Sequence, residues 1–347
     1  MATMQNSAVK IRVAVIFGGR SAEHDVSCRS AASVFRFLDR SRYQVVPIRI
    51  SRAGVWQIGA DGEEPVFPVE SPTRAPMTSL IAALDVLRSV DVAFPVLHGP
   101  FGEDGTLQAV LEMAGIPYVG SGVLASATAM DKAFTKTILA AEGIAVADGV
   151  VLCGDDEVGP ADRERLGLPV FVKPARSGSS VGVSRVDDWE DLEQAIVLAR
   201  KHDTKVLVEA AVIGREVDVA VLQRPDCSIE VGPALEINHT ASFFDFDVKY
   251  TPGAAEFVIP AVLEPAHREL LEDTARRVFE ALGCAGLLRV DFFLTEVDGR
   301  ATVVMNEVNT LPGLTELSQF PQIWRAAGLP YAGLLDQLLS TAASTAR

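Results

Sequence analysis

The apolar positions of this chain fall first into short unbroken runs. Residues 11 to 17, IRVAVIF, form a β-branched run that stops at Gly18-Gly19. A stretch of helical spacing follows from about Ser27 to Leu38, and a second apolar run covers Val45 to Ile50. Strand, helix and strand in that order predict a βαβ unit. Apolar runs at Val90 to Val96 and Ile116 to Val119 read as further strands buried on both faces, so the opening third predicts an open parallel sheet. A polar, Pro-rich excursion over residues 61 to 76 interrupts it.

The pattern then changes. Ser126 to Glu142 is alanine-rich and stops at Gly143, which predicts one helix. Val170 to Lys173 and Val181 to Val186 read as strands around the small-residue loop Ala175 to Ser180. Trp189, Leu192, Ile196 and Ala199 return to helical spacing after an Asp cap, and Lys205 to Glu209 is a strand again. Further on, Pro265 opens and Gly283 closes a helix with Leu271, Ala275, Val278 and Leu282 on one face. Two strands end the pattern, Leu287 to Thr295 and Ala301 to Asn309, joined across Asp298-Gly299. The fold class is therefore α/β, turning to α+β in the later domains. The boundaries divide the chain into residues 1–125, 126–212 and 213–347.

Composition narrows the partners. The chain has 347 residues, 48% apolar and 22% charged, which is outside the class too polar to fold. A net charge of −15 disfavours nucleic acid and anionic lipid and leaves a small ligand as the expected partner. Cys28, Cys153, Cys227 and Cys284 are too far apart for a CxxC pair and read as reduced. The apolar run Val13 to Phe17 is shorter than a signal-peptide core, and no stretch approaches the ~20 apolar residues of a membrane span. These features predict a cytoplasmic enzyme that does not engage a membrane.

The last hairpin carries the clearest chemistry. Strand side chains alternate faces, so Arg289 shares a face with Asp291, and Glu307 with Asn309. A three-residue loop at Asp298, Gly299 and Arg300 would set Asp291 opposite Glu307 and Arg289 opposite Asn309. Two carboxylates and an amide oxygen are hard ligands suited to Mg²⁺, and a surface salt bridge is the alternative. The loop after Lys173 suits phosphate binding by backbone N–H groups, with an ordinary hairpin turn as its alternative. Within it Gly178-Ser179-Ser180-Val181-Gly182 matches a hydrolase nucleophile elbow, but the chain continues as a strand where an elbow needs a helix. No Gly-Lys dipeptide exists, which excludes a Walker P-loop, and the five histidines make no HExxH motif. His98 ends an apolar strand, beyond which ligands collect in open α/β sheets.

Read in order, GGRSAEHDVS (18–27), HGPFGEDGTLQ (98–108), KPARSGSSVGVS (173–184), KY (249–250), RVDF (289–292) and NEVNTLPGLTELS (306–318) resemble the D-alanine:D-alanine ligase family, a branch of the ATP-grasp ligases. The resemblance runs from about residue 11 to residue 335 and implies a three-domain ATP-grasp fold. It implies ATP-dependent, ADP-forming ligation of two D-alanine molecules through an acylphosphate, supplying peptidoglycan precursors. By similarity, Lys132 and Lys173 hold the ATP phosphates, Glu209 lies by the adenine and Glu216 binds the ribose. Asp291, Glu307 and Asn309 would hold Mg²⁺ or Mn²⁺, two ions in all, and K⁺ activation is left open. Arg289 and the Gly313 N–H would stabilise the oxyanion. Glu23 would take the first substrate's ammonium, with Ser179 and Tyr250 completing a hydrogen-bonded triad and His98 near the first carboxylate. Lys249 and Ser318 would bind the second carboxylate, under a lid around Phe243 to Thr251. The family also implies a homodimer. Ala210 departs from the pattern, being smaller and less polar than expected beside the adenine.

Three other readings compete. A D-alanine:D-lactate or D-alanine:D-serine ligase shares the frame, and Tyr250 favours the dipeptide. A serine hydrolase would use Ser180. A non-catalytic nucleotide-binding regulator would lack part of the set Arg289, Asp291, Glu307 and Asn309, all of which are present.

Overall fold

The computed structural model describes residues 10–62, 65–67, 75–239, 255–297 and 299–344. Strand β1 (Ile11–Gly18) pairs in parallel with β2 (Tyr43–Ile50) and with β4 (Val92–Val96). The edge strand β3 (Trp56–Ile58) runs antiparallel to β2, giving the order β3-β2-β1-β4. Helix α1 (His24–Phe37) starts earlier than its spacing predicts and buries Ser27, Ser30, Ala31, Val34 and Phe35. Its Ser27 hydroxyl donates to the Val96 carbonyl at 2.5 Å and accepts from the Gly18 N–H at 2.7 Å. Both strand ends are thereby fixed to the helix, and the loops that leave them open on one side of the sheet. Helices α2 (Pro76–Leu87) and α3 (Thr106–Met113) complete this layer.

Two expectations for this region are corrected. Ile116 to Val119 is not a strand: only Tyr118 bridges Ala93, through the Pro117 and Ala93 carbonyls. Pro117 has no N–H to extend a ladder, and Gly120 turns the chain at φ 108°. The helix expected over Ser126 to Glu142 is two, α4 (Val123–Met130) and α5 (Lys132–Ala141). Asp131 breaks them because its side chain caps α5, accepting from the Ala133 and Phe134 N–H groups at 3.1 and 3.2 Å.

A second sheet has the order β5-β8-β6-β7, with β5 (Gly149–Cys153), β6 (Val170–Pro174), β7 (Ser184–Val186) and β8 (Lys205–Ala210) antiparallel throughout. Helices α6 (Pro160–Leu166) and α7 (Leu192–Arg200) close a core of Leu152, Val158, Val170, Val172, Ile196 and Val206.

The third sheet holds β9 (Arg215–Gln223), β10 (Ile229–Val231), β11 (Leu235–His239), β12 (Ala255–Val258), β13 (Leu287–Val297) and β14 (Arg300–Asn309), in the order β12-β11-β9-β13-β14, with β10 also on β9. One face is apolar along its length: Val217, Val219, Val221, Leu288, Val290 and Phe292 pack under α8 (Pro265–Ala281). The opposite face changes character along the strands. Ala220, Leu222 and Leu287 join the core beneath α9 (Gln319–Ala326) and α10 (Tyr331–Ser344), whereas Glu216, Asp218, Arg289 and Asp291 continue that face as charge. That boundary between apolar and charged rows is the floor of a cleft.

Candidate active site

The cleft has a volume of about 1080 Å³, and every predicted site residue within the described part of the chain lines it. Lys249, Tyr250 and the lid expected over Phe243 to Thr251 lie outside the described residues.

The hairpin register needs two features rather than one. Val297 pairs with Arg300, so the turn is one residue shorter than predicted, and a β-bulge between Asp291 and Phe292 restores the offset. Asp291 pairs with Glu307 while Phe292 pairs with Met305, which leaves Asn306 as the extra residue. The expected oppositions at the open end therefore occur: Arg289 with Asn309 and Asp291 with Glu307. Arg289 grips Asp291 with two bonds, Nε to Oδ1 at 2.6 Å and a terminal nitrogen to Oδ2 at 2.8 Å. Asn309 Nδ2 donates to the same Oδ2 at 3.2 Å. Burial works against the Arg289 charge, but Asp291 and then Asp218 outweigh it and drive its pKa upward.

The lysines come to carboxylates. Lys132, the first residue of α5, places Nζ 2.7 Å from Glu307 Oε1 and donates to the Ser177 carbonyl at 2.7 Å. Burial opposes its charge, and Glu307 more than offsets this, so its pKa is raised. On β6, Lys173 Nζ lies 2.6 Å from Glu209 Oε2, while Lys136 takes Oε1 of the same carboxylate. Glu209 is held ionised: burial raises its pKa, but Lys173 and Lys136 together lower it further. Burial, reinforced by the charge of Lys173, pushes Lys136 down to about 8.

At the mouth of the first sheet, Ser179 Oγ donates to Glu23 Oε1 at 2.5 Å. The Glu23 carboxylate lies between two glycines, since a Cβ on either Gly99 or Gly178 would sit 2.7 Å from Oε2. The loop beyond Lys173 passes from β6 through Ser179 and Ser180, both at positive φ, into β7. Ser180 therefore stands in a strand–turn–strand, not in the strand–turn–helix of a nucleophile elbow.

The segment from Asn309 to Ser318 is pinned from behind. His98 is buried, and Nδ1 is 2.9 Å from the Leu311 carbonyl while Nε2 is 3.2 Å from Ser30 Oγ. A carbonyl only accepts, so Nδ1 carries the proton and Nε2 accepts from the Ser30 hydroxyl. Burial pushes the His98 pKa down, which keeps this neutral form. Ser30 Oγ in turn accepts from the Leu314 N–H at 3.2 Å. Both His98 nitrogens are thus engaged within the protein, where the side chain supports the segment that follows Asn309.

Four participants were not singled out from the sequence. Glu103 accepts the Gly99 N–H at 2.7 Å and the Leu311 N–H at 3.0 Å, and burial followed by the charge of Glu23 raises its pKa to about 8. Lys136 follows Lys132 by one helical turn, a spacing that could have revealed it. Asp218 is an acid in an apolar strand, and the same could be said of it. Ser30 carries no sequence signal.

The residues fit a divalent cation in kind: Asp291, Glu307 and Asn309 present hard oxygens at the open end of paired strands. Among the described residues no cluster of three or more acidic, histidine or cysteine ligands is present.

Comparison with known proteins bears on the whole chain. A family model described as D-ala D-ala ligase N-terminus matches residues 12–121, and one described as D-ala D-ala ligase C-terminus matches residues 138–340. D-alanine--D-alanine ligase of Nocardia farcinica is 49% identical, with 96% of this chain and 97% of that protein covered. The protein of the same name from Mycobacterium avium is 46% identical, at 97% and 98% coverage. Among solved structures, the VanG D-Ala:D-Ser ligase of Enterococcus faecalis superposes with a TM-score of 0.81 at 35% identity, covering 96% of this chain and all of that one. The Bacillus anthracis D-alanine--D-alanine ligase complexed with ATP gives 0.76 at 30% identity, with 96% and 97% covered.

Proposed function

The chain belongs to the D-alanine--D-alanine ligase family, and from that premise we propose how its residues carry out the family's reaction. It is an ATP-dependent ligase that joins two D-alanine molecules into D-alanyl-D-alanine for peptidoglycan synthesis. One observation supports the residue roles above the others: the opposed set Arg289, Asp291, Glu307 and Asn309 stands where an apolar sheet face turns charged, with Lys132 and Lys173 reaching over it.

Lys132 and Lys173 take the ATP phosphates, each leaving the carboxylate it contacts, and Lys136 remains to neutralise Glu209. Glu209 and Glu216 lie along the nucleoside. Glu23 accepts the ammonium of the first D-alanine, and its bond to Ser179 holds the covering loop over the acylphosphate, which water would hydrolyse. The first carboxylate attacks the γ-phosphate and displaces ADP, and the second amine, as the free base, then attacks the resulting acylphosphate and gives up a proton as the amide forms. Arg289 and the Gly313 N–H stabilise the oxyanion of that second step before phosphate leaves; one such donor is worth about 3–4 kcal/mol. Tyr250 completes the triad, while Lys249 and Ser318 bind the second carboxylate. Asp291, Glu307 and Asn309 would hold Mg²⁺ or Mn²⁺, two ions, which would supply charge neutralisation at the transferred phosphoryl group. The enzyme works as a cytoplasmic homodimer, and K⁺ activation is checked by replacing K⁺ with Na⁺ in the assay. Among the described residues no helix is long and apolar enough to cross a membrane.

The test is stoichiometry. Purified protein with ATP, Mg²⁺ and D-alanine should release one phosphate per dipeptide, and phosphate release without dipeptide would reject the ligase assignment. A second acceptor is worth testing because a D-Ala:D-Ser ligase superposes at 35% identity. With D-alanine, D-serine and D-lactate all present, D-alanyl-D-alanine should predominate near neutral pH.

A further inference from the structure

Strand β9 is apolar except where it reaches the cleft. Its face toward the core beneath α9 and α10 reads Glu216, Asp218, Ala220 and Leu222, and Asp218 is 3% exposed. In register, Leu235 of β11, Asp218 of β9, Asp291 of β13 and Glu307 of β14 form one row across four strands. Arg289 lies in the neighbouring row of the same face, between Ala220 and Asn309, and its Nε is 3.5 Å from Asp218 Oδ2. The guanidinium is thus flanked by two acids: Asp291, which it grips with two bonds, and Asp218, which it faces more loosely.

The two acids have different obligations. Asp291 is proposed to give oxygens to a cation, and its Oδ2 already accepts from Asn309. A carboxylate that turns oxygens toward a cation keeps fewer lone pairs for the guanidinium. Asp218 lies on the other side of β13 from Glu307, on a strand outside the hairpin that carries the proposed ligands. A carboxylate this buried is costly unless a cation compensates it, and Arg289 stands beside it.

We propose that Asp218 is a positioning residue for Arg289, keeping a fixed counter-charge beside the guanidinium while Asp291 serves the cation. This rests on the reading of Arg289 as the oxyanion donor. Asp218 touches no reacting atom; it acts through Arg289 by setting where that side chain comes to rest.

Four variants decide it: Asp218→Asn, Asp218→Glu, Arg289→Met and the double variant Asp218→Asn/Arg289→Met. Asp218→Asn should lower kcat about tenfold or more and leave the KM for ATP within about twofold. Its Mn²⁺ affinity with ADP present, read by electron paramagnetic resonance, should stay within about twofold of wild type, and Asp218→Glu should recover part of kcat. Arg289→Met should melt at a lower temperature than wild type because it strips the cation from a buried acid. Adding Asp218→Asn to it should raise the melting temperature again and remove no further turnover. Wild-type kcat in Asp218→Asn, with Arg289→Met inactive, would overturn the role of Asp218 and leave that of Arg289 standing. Loss of Mn²⁺ affinity in Asp218→Asn would make Asp218 a ligand, which also overturns the proposal. Normal turnover in Arg289→Met would instead remove the reading on which it is built.

Discussion

At the scale of single residues, the site is a set of charges whose partners determine their state. Glu103 shows this most sharply, because its two oxygens hold the N–H groups of two different loops inside the protein. Its ordinary value is 4.5 and burial, with the charge of Glu23, raises it to about 8 in the folded chain. Between those values the folded state binds more proton than the unfolded state, so this group's contribution to stability is complete below pH 4.5 and is lost as pH rises toward 8. The slope is at most about 1.4 kcal/mol per pH unit. Melting temperatures of wild type and Glu103→Gln measured from pH 5 to pH 9 should therefore diverge in slope, the variant being flatter; parallel curves would refute the assignment. The metal donors give a second expectation. Asp291→Asn and Glu307→Gln keep volume and remove a charge, so each should lower turnover by on the order of a hundredfold or more while circular dichroism stays native. Near-normal rates for both at saturating Mg²⁺ would end the metal assignment. The adjacent serines should separate as well: Ser179→Ala breaks the bond to Glu23 and should depress ligation more than Ser180→Ala. The reverse order, accompanied by ester hydrolysis in the wild type, would revive the hydrolase reading.

At the scale of elements, most of what positions the site was readable because strand alternation carries it. The β1–α1–β2 unit, the β6–β7 pair and the final hairpin all follow from runs of apolar residues bounded by turn formers. What was not readable has physical reasons. Strand β5 lies at a sheet edge with alternate residues exposed, and α6 is a short charged helix whose only buried residue is Leu166, so neither presents an apolar pattern. The break at Asp131 is invisible in an alanine-rich run until the carboxylate is seen capping α5. Strands β9 and β11 lie between the second region and α8, where Gly214, Pro225-Asp226 and Gly232-Pro233 mark boundaries that could have revealed them. The hairpin itself is the instructive case: the right oppositions were expected from a longer turn, whereas a shorter turn and a bulge at Asn306 produce them together. Deleting Asn306 should let the ladder run on regularly, with Glu307 following Met305 and still opposite Asp291, so that Glu307 and Asn309 keep their face. The variant should remain folded, bind ADP and keep most of its dipeptide synthesis; loss of synthesis with ADP binding intact would mean that the bulge shapes the donor row beyond its register.

At the scale of the whole molecule, division along the chain and division among cores differ. Among the described residues the core around Leu152, Val172 and Val206 draws on residues 150 to 210. The largest core instead joins Val13, Val15, Phe94 and Val96 of the first sheet to Leu222 and Leu287 of the third and to Leu334, Leu335 and Leu338 of α10. The last helix thus closes over the first sheet, and Tyr43 and Arg42 of the one reach Asp336 of the other. The Asn309–Ser318 segment is caught in this union, with His98, Glu103 and Ser30 on one side and the Tyr331 hydroxyl donating to the Leu314 carbonyl at 2.5 Å on the other. Placement of the Gly313 N–H then depends on the joint stability of the first and last parts of the chain, and not on the second sheet. A leucine truncation in α10 distinguishes the two bodies. Leu338 is 1% exposed, and Leu338→Ala should cost about 2–5 kcal/mol. Calorimetry of the wild type should resolve a transition for the second sheet apart from the main one. Leu338→Ala should lower the main transition by on the order of 10 °C and leave the other in place. Loss of dipeptide synthesis on heating should follow the transition that moved. A single transition, or two that shift together, would show that the second sheet is stabilised by the same union and that the site's support extends through the entire chain.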